Sequence, residues 1–373
     1  MRGLRNAWVE VDPSAITKNV RALKALTRPG TLFMAVVKAD GYGHGAVPAA
    51  EASLAGGADR LGVATVTEAI EIREAGIAGP LHVLSEPPVE AMAEVVAYDL
   101  VPTVFLLETA RALSAAALRA GATVRYHLKV DTGMNRIGVA PAATLDLAVA
   151  LAALPGIEME GVFTHFATAD VPGDWDLETQ MERFNRVLED LGDSRLRPPL
   201  AHAANSPATI LHPESHLDMV RCGIAIYGLH PDVSTEGRVE LEPAMSVKAL
   251  VSNVHTVPTG DGVSYGLTWR AATPTEVATI PVGYADGLHR VLSGRIRVLA
   301  GGISCTQIGR ICMDQTMFEV PRSSGVAIGD EVVLVGRQGS VRIPLDELAS
   351  AAGTINYEMA CGFALRLPRV YPV

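Results

Sequence analysis

The stretch MAVVKADGYGHG, residues 34–45, runs from an apolar segment through a single lysine straight into a glycine-rich turn. Ala35, Val36 and Val37 read as a strand buried on both faces. Lys38 follows, and Asp40, Gly41, Gly43 and Gly45 let the chain turn sharply behind it. A partly desolvated lysine at such a rim loses its proton near neutral pH and reacts with carbonyls as an amine. A lysine snorkelling at a strand end would have the same local sequence, so the segment needs companions.

Further apolar runs end in polar side chains able to share one site. Lys129 lies near the end of VRYHLKV, His165 near the end of GVFTHF, Asn205 and Ser206 directly after LAHAA, and Arg221 at the end of LDMVR. Each alone reads as an ordinary polar residue at a strand end. Together they matter only if one architecture carries all these ends to the same face.

The spacing supplies such an architecture. Candidate strands at residues 32–37, 61–65, 81–84, 101–105, 124–130, 161–166, 200–204 and 217–221 alternate with helical patterns such as VTEAIEIREAG, LETARALSAAALRAG and LETQMERFNRVLEDLG. Eight strands with intervening helices over about 200 residues is the count of a (β/α)8 TIM-type barrel, whose chemistry collects at the C-terminal ends of its strands. No strand-linked GxGxxG supports a dinucleotide-binding sheet instead. Barrels often hold phosphate after strands 7 and 8, where NSPATI offers a hydroxyl at a helix start and RCGIAIYG a close-approaching glycine. An amine at strand 1 facing a phosphate site suits a phosphorylated aldehyde. Pyridoxal 5′-phosphate is the commonest such molecule held as a lysine Schiff base.

Past about residue 235 glycine, proline and β-branched residues dominate, as in VKALVSNVHTVPTGDGVSYG and DEVVLVG, with one helical patch, IPLDELASAAG. The expected organisation is a barrel over residues 1–235 and a mainly β domain over 236–373. Asp12 and Pro13 cap the first helix, and the strand before it, about residues 7–11, is free to join the β domain rather than the barrel.

Composition narrows the partners. Hydrophobic residues make up 49% of the 373 and charged ones 19%, a globular balance with ample core. A net charge of −10 without a basic run argues against nucleic acid. Neither a signal-peptide core nor a run of membrane-spanning length is found, which makes the cytoplasm the expected location. Four dispersed cysteines without CxxC spacing suggest neither a disulfide framework nor a zinc site, and no metal is expected.

AVVKADGYGHG, KVDTGMNRIG, THFATAD, HAANSPA, VRCGIAIYG, VSYGLTWR, IPVGYADG, IGRICMDQ and INYEMACGFALRLPRVY, in this order from end to end, resemble bacterial alanine racemases. The resemblance implies that Lys38 carries pyridoxal phosphate and acts as a base on one face of the substrate's Cα. Tyr265 is then the base on the other face, supplied by the second subunit of a homodimer with shared active sites. Arg221 matches the arginine facing the pyridine nitrogen, and His165 the histidine that orients it. Tyr42, Ser206, Gly223, Ile224 and Tyr357 match phosphate ligands, with Asn205 beside them. Arg136 and the Met313 backbone amide match groups near the substrate carboxylate, and Lys129 matches a lysine carbamylated in many members. A carbamate would make that side chain an anion able to pair with Arg136. One departure is Leu367 in RLPRVY where valine is expected, a change of one methylene away from the proposed bases.

The implied activity is interconversion of L- and D-alanine, feeding peptidoglycan synthesis. The alternatives are a broader amino-acid racemase that also takes serine, a barrel-type amino-acid decarboxylase, and a non-enzymatic pyridoxal-phosphate-binding protein built of the barrel alone. Decarboxylases of that type face the pyridine nitrogen with a glutamate where this chain offers Arg221. The barrel-only protein lacks the roughly 150 residues that follow strand 8 here. One methylene of substrate is worth only about 1–3 kcal/mol, so serine is the harder rival to separate.

Overall fold

The computed structural model describes residues 4–171 and 175–372. The chain divides into two compact units, one made of residues 14–41 and 45–243, the other of the residues up to 13, 42–44 and those from 244 onward.

Strand β1 (Ala7–Val11) belongs to the second unit. The first is built on eight parallel strands, β2 (Leu32–Val36), β3 (Arg60–Val63), β4 (Leu81–Val83), β5 (Val101–Val104), β6 (Val124–Lys129), β7 (Ile157–Phe163), β8 (Leu200–His202) and β9 (Met219–Cys222). They neighbour one another in the order β8-β7-β6-β5-β4-β3-β2-β9. Asp218 N donates to Ala201 O at 3.1 Å and Arg221 N to Ala204 O at 3.0 Å across the remaining seam, so the barrel is nearly closed. Helices cover its outside and bury Ile72, Val95, Leu113, Phe184 and Leu191 against the strands. Their ends follow local rules. Thr65 and Glu68 form a reciprocal capping box on Val66–Glu74, and Leu107–Ala120 ends on left-handed Gly121.

Two elements depart from the sequence expectation. Strand β7 begins at Ile157 and stops at Phe163, whereas its apolar run suggests 161–166, which puts His165 in the following loop. An inward-facing carboxylate, Glu160, interrupts the apolar pattern that would have announced the strand's first half. In the second unit the short helix Asn356–Gly362 joins the expected Leu345–Ala352. Seven residues carry too little helical periodicity to announce themselves, and burial of Met359 and Ala360 stabilises the turn instead.

The second unit is a mainly antiparallel sheet. Strand β1 pairs antiparallel with Met245–Leu250 and parallel with Arg369–Val370, and Met245–Leu250 pairs in turn with Glu331–Gln338. Among the described residues no helix is long and apolar enough to cross a membrane.

Candidate active site

Lys38 opens a left-handed turn. Ala39, Asp40, Gly41 and Tyr42 have φ of 53°, 52°, 60° and 53°, and each non-glycine residue in that region costs about 1–2 kcal/mol. The surroundings hold the strain. Gly41 N donates to Val37 O at 3.0 Å, Ala39 N to Glu68 Oε1 at 2.8 Å, and Ala46 N to Asp40 Oδ1 at 2.9 Å. Backbone kept in a costly conformation by several independent bonds is characteristic of functional turns.

Across the barrel mouth the hub is Arg221, buried at 4% exposure. Its Nη2 shares two hydrogens among Thr164 O at 2.8 Å, Ala203 O at 2.9 Å and His165 Nδ1 at 3.1 Å, while Nη1 donates to His202 Nδ1 at 2.7 Å. Among the described residues its Nε–H meets no acceptor. His165 is pushed well below its ordinary value by burial first, then by the positive charges of Arg221, Lys129, Arg136 and Lys38. These predicted residues therefore gather at one mouth. Gln180 braces the His165 loop, donating to His165 O at 3.0 Å and accepting from Ala167 N at 2.9 Å.

Lys129 ends β6 inside this positive cluster. Burial and the nearby Arg221 bring its amine down to about 7, Arg136 adding to the shift and Asp131 opposing it. Its Nζ donates to Val130 O at 2.8 Å and lies 5.2 Å from the centre of the Phe163 ring. Arg136 stands exposed on a tight loop in which Asp131 Oδ1 accepts from Gly133 N and Asn135 N, each at 3.0 Å.

The expected phosphate residues of the barrel also meet. Asn205 caps Ser206–Leu211 by accepting from Ala208 N at 3.1 Å. Ser206 Oγ accepts from Gly223 N at 2.9 Å, so a hydroxyl and the start of the turn Ile224–Tyr227 share one buried spot.

The remaining predicted residues belong to the second unit. Tyr42 and Tyr357 pair with ring centroids 6.3 Å apart. Arg369 secures the segment between 42 and 44 by donating from Nε to Gly43 O at 3.0 Å and from its Nη atoms to Phe363, Ala364 and Leu367 carbonyls. Leu367 is fully buried there. Tyr265 is 70% exposed, on a loop where Ser264, Gly266 and Leu267 all have positive φ. Ser264 Oγ donates to Arg310 O at 2.6 Å and lies 3.3 Å from Cys312 Sγ, tying the Tyr265 loop to the one that carries Met313. Met313, Leu267 and Tyr284 are exposed alongside.

Sequence reading missed the residues beneath the mouth. Strand β6 was read for Lys129 alone, yet Arg125 and His127 precede it at alternate positions, which in a barrel strand share a face. That period-two row of basic residues was the available signal, and His202 of β8 and Glu160 of β7 complete the set.

Comparison with known proteins finds relatives of both units. Residues 11–231 match the family described as alanine racemase, N-terminal domain, and residues 244–371 match alanine racemase, C-terminal domain. The alanine racemases of Desulfosudis oleivorans and Symbiobacterium thermophilum are each 47% identical, over 98% and 99% of this chain and 96% and 98% of their own. The crystal structure of alanine racemase from D-cycloserine-producing Streptomyces lavendulae superposes with a TM-score of 0.94 at 39% identity, over 99% of this chain and 97% of that one. With both domains matched and the likeness running end to end, this chain belongs to the alanine racemase family.

Proposed function

We propose that the chain interconverts L- and D-alanine with pyridoxal phosphate held on Lys38, working as a cytoplasmic homodimer that supplies D-alanine for peptidoglycan. The observation that carries the cofactor reading is the buried Arg221 guanidinium, whose Nη atoms are engaged by the protein while Nε–H is left to donate. An N–H that only donates and is not engaged by the protein suits an acceptor such as an aromatic ring nitrogen. The donor set fits the rest of the molecule. Lys38 supplies the amine, Ser206 with the Gly223 and Ile224 amides suits the phosphate, and Tyr42 and Tyr357 add hydroxyls for it. Asn205 keeps the Ser206 turn in place.

Bound, pyridoxal phosphate supplies a conjugated sink for the electron pair left at Cα when its proton departs. Lys38 takes or returns that proton on one face. Inversion needs a second group on the other face, and Tyr265 of a second copy is the candidate, each positioned acid or base contributing about 10²- to 10⁴-fold. The exposed apolar set around Tyr265 supports burial against that copy. Arg221 donates a hydrogen bond without giving up its proton, which keeps the sink weak and favours return of the proton to Cα over transamination. His165 accepts from Arg221 and holds its plane. Arg136 and the Met313 amide take the substrate carboxylate.

Lys129 is the residue most open to modification. A neutral amine adds CO2 to give a carbamate and one released proton, and an amine brought to about 7 is substantially neutral at physiological pH. The product is an anion among cations, which reverses the repulsion from Arg221 and Arg136.

The deciding experiment incubates the purified protein with L-alanine in D2O and follows optical rotation and Cα deuteration together. Both should change in step. Exchange without loss of rotation would mean a base on one face only, and release of CO2 would turn the assignment to a decarboxylase.

A further inference from the structure

The inside of a (β/α)8 barrel is ordinarily packed with branched apolar side chains. Here a polar column runs through it, with the Phe163 ring stacked on His202 at 4.7 Å. Glu160 of β7 is gripped by Arg60 of β3, Nη1 to Oε2 at 2.6 Å and Nη2 to Oε1 at 3.0 Å, and by Arg125 Nη1 to Oε1 at 3.0 Å. His127 Nε2 lies 3.0 Å from Glu160 Oε2, and His127 Nδ1 lies 2.7 Å from His202 Nε2. His202 Nδ1 in turn meets Arg221 Nη1 at 2.7 Å. Both histidines are fully buried. Gly161 makes the room, since a Cβ there would stand 2.6 Å from the His127 ring.

The chemistry of the two ends determines where every proton sits. A guanidinium only donates, so His202 Nδ1 accepts and its proton is on Nε2. An ionised carboxylate only accepts, so His127 donates from Nε2 and its Nδ1 is bare. The bond between the rings then has one proton, given by His202 to His127. The two ends agree, and every bond donates in the same direction, from Arg221 toward Glu160. Protonating either imidazole would set N–H against N–H. Passing a proton down the column would require Glu160 to accept one while held by two arginines.

We infer that Glu160, acting through His127 and His202, is the remote counter-charge that keeps Arg221 a cationic donor in fixed orientation, which makes Glu160 and His127 positioning residues for the cofactor ring. This rests on the proposed placement of the ring nitrogen at Arg221. The surroundings agree with it. Burial draws Arg221 down to about 9 and holds both histidines below their usual range, so an unsupported guanidinium here would be the weak point. The other titratable groups around the column are His82 of β4, whose ring meets that of His127 edge-on at 4.5 Å, Lys129 above and Cys222 beside Arg221.

The test is 15N NMR of ring-labelled histidine in the cofactor-loaded enzyme, with His127→Gln and His202→Gln for assignment. Both rings should be neutral and protonated on Nε2 from about pH 6 to 9, well across the ordinary histidine range. Glu160→Gln presents either end of an amide to His127, so the one-way order should be lost, giving mixed tautomers. The dissociation constant for pyridoxal phosphate should then rise about tenfold, the scale of one charge-assisted bond, with a shift in the absorbance of the bound cofactor. A merely structural Glu160 would lower the melting temperature and leave tautomers and absorbance alone, which overturns the inference. So would Nδ1 protonation of His202 in the wild type, which decides the matter if Glu160→Gln does not fold. An enzyme that racemises alanine with the wrong tautomers sinks this inference only. A protein that takes up no cofactor sinks the functional reading, and the tautomers of the cofactor-free protein still judge the column.

Discussion

Gly161 of β7 stands where a Cβ would come within 2.6 Å of the His127 ring, so a residue with no side chain sets the position of one of the most deeply buried imidazoles. Through that ring the barrel core reaches the mouth, and the consequences can be measured at several points.

Acid stability should report on Glu160. Burial opposes its ionisation, but hydrogen bonds from His127 and Arg60 and the charge of Arg60 outweigh this and hold the carboxyl well below the usual range. Its stabilisation is then complete above the ordinary glutamate value of about 4.3 and is lost as pH falls below that toward the folded value. Glu160→Gln, leaving two arginines short of a partner, should cost about 3–5 kcal/mol at pH 7. Thermal melts from pH 3 to 8 should show the gap to wild type narrowing below pH 4. A gap that stays constant would contradict the ion-pair account.

Tyr265→Phe should keep the fold and the absorbance of bound cofactor while lowering racemisation from L-alanine by about 10²- to 10⁴-fold. The phenol is exposed in one copy of the chain, so its loss leaves little packing to repair. Polarimetry checks it. A fully active variant would remove the second base.

Gly43 has φ +82°, and a Cβ there would lie 2.4 Å from Ala360 O. Gly43→Ala should shift the segment that carries Tyr42 away from Tyr357 and weaken pyridoxal phosphate binding by tenfold or so, with a destabilisation of about 1–3 kcal/mol. Equilibrium dialysis and melting curves measure the two effects separately. Unchanged cofactor affinity would detach the tyrosine pair from the phosphate.

With 13C-labelled bicarbonate at pH 8, Lys129 should give a carbamate carbon resonance that is absent in Lys129→Ala. Acidification through the amine value of about 7 should erase the signal, because protonated lysine cannot add CO2. A wild-type spectrum without the resonance would leave Lys129 a plain amine.

The sequence by itself determined the elements and the chemistry at their ends. Strand and helix alternation, the lysine before a glycine-rich turn and the serine opening a short helix are local patterns, and local sterics enforce them. Nine ordered motifs determined the family likewise. What the tertiary structure decided is how polar residues from different strands meet. Arg60, His127, Glu160, His202 and Arg221 lie far apart in the chain, and of these only Arg221 stands out in the sequence as a site residue. Barrel closure brings them within hydrogen-bond reach, where low dielectric makes every unpaired group costly and so selects a single arrangement of protons.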